Sequence, residues 1–182
     1  MTESKDSCLI CQIVSNKIPS YKIYEDDMAL AVLDVNGANP GHCFVIPKNH
    51  YPIIEHVPDL ELGNLFSIAN KISSSIFENL KAEGTNIFVA NGIPAGQTAA
   101  HFMINVIPRK ENDNINLQWK PKQLSEEEIS TVELKLKEQI KNVEMGSVEP
   151  TNKPGPLHEK TETSSFADDE DDYIANQLRR IP

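Results

Sequence analysis

The chain has 182 residues, of which 39% are hydrophobic, and its formal net charge is −10. This length suits one domain with an appendage, and the acidic balance argues against binding along an extended nucleic acid, which requires clustered Lys and Arg. No apolar run approaches the roughly 20 residues that span a bilayer. Residues 1–7 also lack the apolar segment of a secretion signal. We therefore expect no membrane association and a cytoplasmic location.

A C-x-x-C motif near the start of the chain, formed by Cys8 and Cys11, is the first candidate site. One tight turn presents two thiolates at this spacing, and zinc prefers such a half-site. In a cytoplasmic protein, three cysteines indicate metal binding or packing rather than a disulfide framework. Cys43 alternates within a predicted strand and is interpreted as core. The alternative for Cys8 and Cys11 is burial as two small apolar side chains.

Two imidazoles would complete a tetrahedral site around the C-x-x-C thiolates. His50 and His101 are the candidates, and His56 is an alternative to His50. The residues alone leave the choice between the two open.

Hydrophobic periodicity predicts an α+β fold with the order β-β-β-α-β-β. Apolar residues recur every three or four positions over residues 59–82, which indicates a long amphipathic helix. A capping-box pattern at Ser125 predicts a second helix over 125–142, with a narrow apolar stripe that would pack on a surface. Five segments predict strands of an antiparallel sheet: 21–25, 28–33, 42–46, 85–90 and 100–107.

The last predicted strand alternates in polarity, which is typical of a half-buried strand. We expect His101, Met103 and Asn105 on one face and the apolar residues between them on the other. Pro108 is expected to end the strand, because it has no backbone donor. The turn before the strand contains Gly96 and could direct backbone amides at an anion.

This strand and its lead-in resemble the signature of the histidine triad (HIT) superfamily, in which histidines occupy three alternate positions. Here only the first position is a histidine, His101, and the others are Met103 and Asn105. The resemblance covers about residues 8–141 and includes further motifs in the family's order: Ile18-Pro19, Tyr24-Glu25-Asp26, Leu33-Asp34, Pro40-Gly41-His42, Val45-Ile46-Pro47-Lys48, Asn91-Gly92, Gly96-Gln97 and Pro108-Arg109. It implies a HIT-like α+β fold with a sheet of about five strands, one long helix and a C-terminal helix.

The resemblance also implies a structural zinc ion. In one branch of the superfamily, a C-x-x-C motif, a histidine after a Pro-Lys pair and the first triad histidine bind structural Zn²⁺. Cys8, Cys11, His50 and His101 match these positions. A zinc role would explain why His101 is retained, since Met103 and Asn105 would have no such structural duty.

A purine nucleotide site is implied on the same grounds. By resemblance, Asp34 would hold the ribose hydroxyls and Ile13 would lie against the base. Three residues would meet the α-phosphate, with His42 nearby: Asn91, Gln97 and Thr98. Without the family, each of these residues has an ordinary alternative role, such as a turn residue or a partner for local backbone groups.

The resemblance implies a catalytic mechanism that this sequence does not support. In active members the middle histidine attacks the α-phosphate and forms a nucleotidyl-histidine, which water then hydrolyses. That step requires a basic nitrogen lone pair, whereas Met103 offers a thioether. Asn105 cannot act as an acid or a base near neutral pH. We expect that covalent catalysis is lost, with His42 on another strand as a poorly placed substitute.

Three classes of function follow from these observations. The favoured one is a noncatalytic HIT-like purine nucleotide-binding protein. The second is an active nucleoside phosphoramidate or dinucleotide hydrolase with altered chemistry. The third is a zinc-stabilised interaction module that acts through its acidic tail.

The predicted domain boundary lies at residue 142. Residues 142–182 contain nine acidic and four basic side chains, and their composition predicts a disordered acidic tail over 143–182 that could meet a protein partner. A short helix near the terminus is possible from the charge order in 168–181. For the domain over 1–142, the resemblance implies a homodimer whose sheets join across the subunits, with Trp119 reaching toward the partner.

Overall fold

A five-stranded antiparallel sheet forms the centre of the fold. The structure, a computed structural model, describes residue 5 and residues 7–141, so the predicted tail over 143–182 and its terminal helix lie outside the described residues. The elements in chain order are α1 (Leu9–Val14), β1 (Lys22–Glu25), β2 (Ala29–Leu33), β3 (Cys43–Pro47), α2 (Asp59–Leu80), β4 (Gly84–Phe88), β5 (Ile104–Arg109) and α3 (Glu126–Ile140), with short 3₁₀ turns at Ile54–His56 and Ile93–Ala95.

The strands lie in the order β1-β2-β3-β5-β4, and every neighbouring pair is antiparallel. The predicted α+β class, the five strands, the long helix and the C-terminal helix are therefore confirmed. The segment that begins with the C-x-x-C motif was expected only as a turn, whereas Leu9–Val14 forms a helix. Six residues give less than two helical turns, which is too short for a periodic pattern to be visible in the sequence.

The signature strand is shifted relative to its prediction. It begins at Ile104 rather than at residue 100, and it continues through Pro108 to Arg109. The Pro108 carbonyl accepts a hydrogen bond from Asn39 Nδ2 at 2.9 Å, so the backbone nitrogen and carbonyl of Pro108 face away from β4. Thr85 pairs with Pro108 across the β4–β5 ladder, and the missing N–H therefore removes no hydrogen bond to β4.

Both faces of the sheet are covered in its centre, which explains why β2 is apolar throughout rather than alternating. The face toward α2 contains Ala29, Ala31, Cys43, Val45, Phe102, Ile104 and Val106, packed against Leu65, Ile68, Ala69 and Ile76 of the helix. The face toward α1 contains Leu30, Val32 and Ile46, packed against Cys8, Ile10 and Cys11. Successive strand residues thus contribute to two separate apolar clusters.

The C-terminal helix α3 begins with the predicted capping box. Ser125 Oγ accepts a hydrogen bond from the Glu128 amide at 3.2 Å, and Glu128 Oε2 accepts one from the Ser125 amide at 2.8 Å. No residue of α3 is buried against the rest of the described chain, so its predicted packing on a surface is not observed there. Within the part of the chain that the structure describes, no helix combines the length and hydrophobicity needed to cross a membrane.

Candidate functional site

Four side chains from three separate parts of the chain converge beside α1. Cys8 immediately precedes the helix, Cys11 lies within it, His50 follows β3, and His101 precedes β5. One potential ligand atom from each residue lies within 4.8 Å of all the others. These four residues could hold a metal ion, and His56 is not among them.

Three sulfur–nitrogen distances among the ligand atoms fit a tetrahedral ion. The Sγ atoms of Cys8 and Cys11 each lie 3.6 Å from Nδ1 of His101, and Cys11 Sγ lies 3.3 Å from Nδ1 of His50. Tetrahedral zinc, with bonds of about 2.3 Å to sulfur and about 2.1 Å to nitrogen, would separate sulfur from nitrogen by about 3.6 Å. The donor set and its spacing therefore suit zinc with little rearrangement.

A backbone contact fixes the ring of His101 in the orientation that a metal requires. Its Nε2–H donates to the Pro47 carbonyl at 3.1 Å, which leaves the Nδ1 lone pair facing the two thiols. Burial lowers the pKa of His101 to about 4, although the hydrogen bond to Pro47 opposes that shift. The imidazole is therefore neutral at pH 7 and able to act as a ligand.

A cavity of about 360 Å³ adjoins this cluster, and His101 lines both. Its wall contains four of the six predicted nucleotide-site residues together with the second and third triad positions: Asp34, His42, Gln97, Thr98, Met103 and Asn105. Ile13 and Asn91 do not line it. Ile13 is half-buried against the apolar cluster under α1.

Hydrogen bonds account for the position of Asn91. Its Nδ2 donates to the Glu55 carboxylate at 2.8 and 3.0 Å, and its Oδ1 accepts from the Ile54 amide at 3.0 Å. The Asn91 side chain therefore holds the 3₁₀ turn at Ile54–His56 in this structure.

The loop before β5 is shaped by the side chain of Gln97. Its Oε1 accepts from the Gly92 amide at 2.7 Å, and its Nε2 donates to the carbonyls of Pro52 and Ala99 at 2.6 and 2.8 Å. The amide is thus fully engaged with backbone groups. Among the described residues, the hydroxyl of Thr98 has no hydrogen-bond partner, so it is available to a ligand in the cavity.

His42 connects the aspartate of the cavity to the third triad position. Its Nδ1 lies 3.1 Å from the Ala38 amide and 3.5 Å from Asp34 Oδ2, and its Nε2 lies 3.3 Å from Asn105 Oδ1. The two contacts of Nδ1 favour different hydrogen-bond roles for this atom. A proton on Nδ1 would suit the Asp34 carboxylate, but it would point at the N–H of Ala38, which is itself a donor. The Ala38 amide can only donate, so Nδ1 of His42 accepts from it and the Nε2–H donates to Asn105 Oδ1.

Met103, which the sequence resemblance assigns to the second triad position, lies on the wall of the cavity. Its side chain is half-buried and packs against the apolar cluster under α1. A thioether has no proton to transfer and is only a weak hydrogen-bond acceptor. The wall therefore lacks an imidazole at this position, and the nearby ring of His42 donates its Nε2 proton to Asn105.

The sequence prediction missed parts of this site. Phe44 lines the cavity with its ring 5.1 Å from that of His42, and the period of two along β3 could have identified it. The carbonyl of Pro47, which orients His101, left no signal because any residue type supplies a carbonyl. Phe88 and Ala90, from the β4 end of the wall, also required the folded sheet.

The chain is similar in sequence to proteins of one known family. A family model described as "HIT domain" matches residues 15–112. The adenylylsulfatase HINT3 of Arabidopsis thaliana is 39% identical over 109 residues, which cover 60% of this chain and 55% of that relative. The chain thus spans little more than half of HINT3. The adenosine 5'-monophosphoramidase HNT1 of Candida albicans is 28% identical over 146 residues, which cover 78% of this chain and 96% of that relative.

Several solved structures share this architecture at 30% identity or more, and two of them illustrate the match. The protein SMU.412c of Streptococcus mutans is 33% identical with a TM-score of 0.71, and the match covers 77% of this chain and 89% of that one. A Zn-bound histidine triad family protein of Mycobacterium smegmatis is 30% identical with a TM-score of 0.60, over 76% of this chain and 99% of that one.

Proposed function

The chain belongs to the HIT domain family, and from this premise we propose that it binds a purine nucleotide without carrying out covalent nucleotidyl transfer. The observation that carries the proposal is the composition of the cavity wall. Asp34 and Thr98 offer partners for a nucleotide, while Met103 stands where an active family member has its nucleophilic histidine. Binding groups are thus retained beside a position that cannot perform the covalent step.

In the proposed complex, the Asp34 carboxylate accepts hydrogen bonds from the ribose hydroxyls. The free hydroxyl of Thr98 donates to the α-phosphate, and His42 lies close to that group. Ile13 forms the apolar surface beneath the base, at the edge of the cluster under α1. Gln97 contributes by holding the loop that carries Thr98, since its own amide is engaged with backbone groups.

Asn91 belongs to the proposed set on condition that its side chain moves. Its amide is bound to Glu55 and to the Ile54 backbone, so contact with a phosphate requires that Asn91 exchange these partners. A phosphate oxygen offers a charge-assisted hydrogen bond comparable to that of Glu55, and the exchange is therefore energetically accessible.

The names of two relatives support the choice of a purine nucleotide. HINT3 is named as an adenylylsulfatase and HNT1 as an adenosine 5'-monophosphoramidase, so both names describe compounds of adenosine monophosphate. This chain covers only 55% of HINT3, and it differs from an intact triad at two positions. We therefore carry over the nucleotide class and not the reactions.

The loss of covalent catalysis follows from the chemistry of the triad positions. Met103 has no nitrogen lone pair, and Asn105 supplies only a neutral amide. His42, the remaining imidazole on the wall apart from His101, directs its Nε2 proton at Asn105 and accepts the Ala38 amide at Nδ1. Neither of its nitrogens offers a free lone pair to a phosphorus atom in this arrangement.

A structural zinc ion is the second part of the proposal. Cys8, Cys11, His50 and His101 would hold it, supported by their tetrahedral spacing and by the Zn-bound relative of Mycobacterium smegmatis. The ion would tie α1 to the segments around β3 and β5, and so fix one side of the cavity. The cysteines are free thiols, which is consistent with the reducing cytoplasm that we propose as the location.

We also infer a homodimer. Strand β4 lies at one edge of the sheet, and Trp119 is 84% exposed within the described chain. Burial of a tryptophan contributes strongly to protein interfaces, and an edge strand offers unpaired backbone groups to a second copy. Light scattering coupled to size exclusion is expected to give twice the monomer mass of 20.3 kDa, and a monomer at micromolar concentration would contradict the inference.

Nucleotide binding is tested by isothermal titration with AMP. Replacement of the cavity residue, Asp34→Asn, is expected to weaken binding at least about tenfold, because hydrogen bonds to a charged group contribute about 1.5–3 kcal/mol. Asp27→Asn removes the same charge from an exposed turn outside the cavity and serves as the matched control. Equal losses in both variants, or no binding by the unaltered protein, would contradict the proposed site.

Loss of catalysis is tested by incubating zinc-loaded protein with an adenosine phosphoramidate and a dinucleoside polyphosphate, beside a relative with an intact triad. We expect product only from the relative. Clear turnover that survives rigorous removal of contaminating enzymes would show that the argument from Met103 is wrong. His42 would then be the first nucleophile to test.

A further inference from the structure

A second binding groove lies between α2 and the β1–β2 hairpin, on the opposite face of the sheet from the nucleotide cavity. Leu33 lines this groove and packs with the α2 cluster, whereas Phe44 lines the nucleotide cavity and packs with the α1 cluster. The main part of the groove has a volume of about 520 Å³. Its wall is dominated by aliphatic side chains from both elements: Ile23, Leu33, Ile68, Ile72, Ile76 and Leu80.

The aliphatic part of the groove continues into a smaller polar cavity of about 280 Å³. Tyr24, Ile68 and Lys71 line both, so the two spaces adjoin at these residues. Along α2, the combined wall runs from Glu61 at the polar end to Leu80 at the apolar end. At a helical rise of about 1.5 Å per residue, this length is about 28 Å.

The polar end contains a buried carboxylate that is only half satisfied. Glu61 is 6% exposed, and its Oε2 accepts a hydrogen bond from the Tyr51 hydroxyl at 2.8 Å. Its Oε1 is buried and has no hydrogen-bond partner among the described residues. Glu61 lines the cavity and Tyr51 does not, so Oε1 is the carboxylate oxygen left for a ligand. Because Oε1 is shielded from solvent, a ligand reaches it when the carboxylate turns toward the cavity. Buried polar atoms almost always have a partner, which makes this oxygen unusual.

The second carboxylate at the polar end, Asp26, already has hydrogen-bond partners. Asp26 accepts hydrogen bonds from the Tyr24 hydroxyl at 2.6 Å and from the amides of Met28 and Ala29 at 2.8 and 2.7 Å. Lys71 is exposed and can extend into solvent. Glu61 therefore remains as the acceptor for a ligand, and a small metal ion would find too few free oxygens here to complete its coordination.

We propose that this groove binds an amphipathic organic cation, that is, a primary amine attached to an aliphatic body. The ammonium donates to Glu61 Oε1, and the body extends along the groove toward Ile72 and Ile76. Charge favours this occupant over a carboxylate of the same length, because the two carboxylates of Glu61 and Asp26 outnumber the one ammonium, that of Lys71, at the polar end. Burial of the ligand's aliphatic body provides the remaining affinity, which increases with the length of its alkyl chain. The proposal is independent of nucleotide binding.

Titration calorimetry with octylamine, octan-1-ol and octanoate tests the head group on the full chain. The unaltered protein is expected to bind octylamine about tenfold more tightly than octan-1-ol, and octanoate more weakly than either. Glu61→Gln keeps the shape and the contact with Tyr51 but removes the charge, and should abolish the preference for the amine. Glu78→Gln removes a charge from an exposed position of α2 that does not line the groove, and should preserve it.

The length of the ligand's alkyl chain tests the apolar part of the groove. Octylamine is expected to bind at least tenfold more tightly than hexylamine, since each buried methylene contributes about fourfold. Ser75→Trp places a large side chain in the groove from an exposed helical position, and should remove most of this difference. Circular dichroism and thermal unfolding report whether each variant is folded. The proposal is overturned if octylamine does not bind, if octanoate binds equally well, or if the amine preference of the unaltered protein survives in Glu61→Gln.

Discussion

Replacement of Cys8 by Ser removes one of four side chains that converge on the candidate metal centre. Cys8 is fully buried, and its Sγ lies 3.6 Å from His101 Nδ1. Serine has nearly the same shape, but its hydroxyl is a poor ligand at neutral pH because it remains protonated. The substitution therefore isolates the loss of a thiolate ligand from changes in packing.

The expected magnitude follows from linkage between metal binding and folding. Structural zinc sites bind with about 10–16 kcal/mol, so each of four ligands contributes about 3–4 kcal/mol, or up to about 1,000-fold in affinity. At free zinc 1,000 times the dissociation constant, zinc stabilises the folded state by about 4 kcal/mol. For a domain of this size that corresponds to a rise in Tm of about 12 °C. In Cys8→Ser, the same free zinc would raise Tm by only about 1 °C.

The assay is thermal unfolding by circular dichroism at buffered free zinc, with zinc content determined on the same samples. Cys43→Ser is the matched control, because Cys43 is equally buried but lies outside the cluster, and burial raises the pKa of its thiol to about 12. We expect Cys43→Ser to retain one zinc per chain and the full rise in Tm. The reasoning is refuted if Cys8→Ser retains that rise, or if the unaltered protein gains no stability from zinc.

Three further outcomes are expected. Met103→His alone should give no substantial turnover, because Asn105 would not orient the new ring; robust hydrolysis by this variant would contradict that. In zinc-free protein, the pKa of His101 is lowered to about 4. As the pH falls below about 6.5, the unfolded chain therefore binds a proton at this imidazole while the folded chain does not. Urea titrations should show that the free energy of unfolding decreases by about 3 kcal/mol from pH 6.5 to 4. The His101→Gln variant should lack this dependence on pH. Phe102→Ala empties a site that is 1% exposed and should lower the free energy of unfolding by about 3–5 kcal/mol; a loss below about 1 kcal/mol would show that the core collapses around it.

Much of the fold could be predicted from local patterns. The apolar stripe of α2 and the alternation before Pro108 each reflect the face that one element buries, and this information is contained within a few neighbouring residues. The capping box at Ser125 is equally local, and the structure confirms it. The helix α1 was missed because the segment is too short to show a period, and its helical form depends on packing beneath it against the sheet.

The candidate site could be predicted only in part. Motif spacing identified Cys8 and Cys11 as one half-site, but it left the choice between His50 and His56 to family resemblance. The side-chain partners of Asn91 and Gln97 could not be read from the sequence, because they are Glu55 and backbone groups on other segments. Such contacts depend on how distant segments pack rather than on local residue types.

The sequence by itself determined the class of fold, the order of the five strands and the two longer helices, and the absence of an imidazole at position 103, because periodicity and residue chemistry are properties of the chain before it folds. Only the tertiary structure decided that the ligand atoms of residues 8, 11, 50 and 101 lie within 4.8 Å of one another, and that the Nδ1 atom of His101 faces the thiols. It also decided that Glu61 Oε1 is buried, on the far face of the sheet, without a hydrogen-bond partner in the described part of the chain. These distances are set by long-range packing of the two helices on the sheet, which no local pattern encodes.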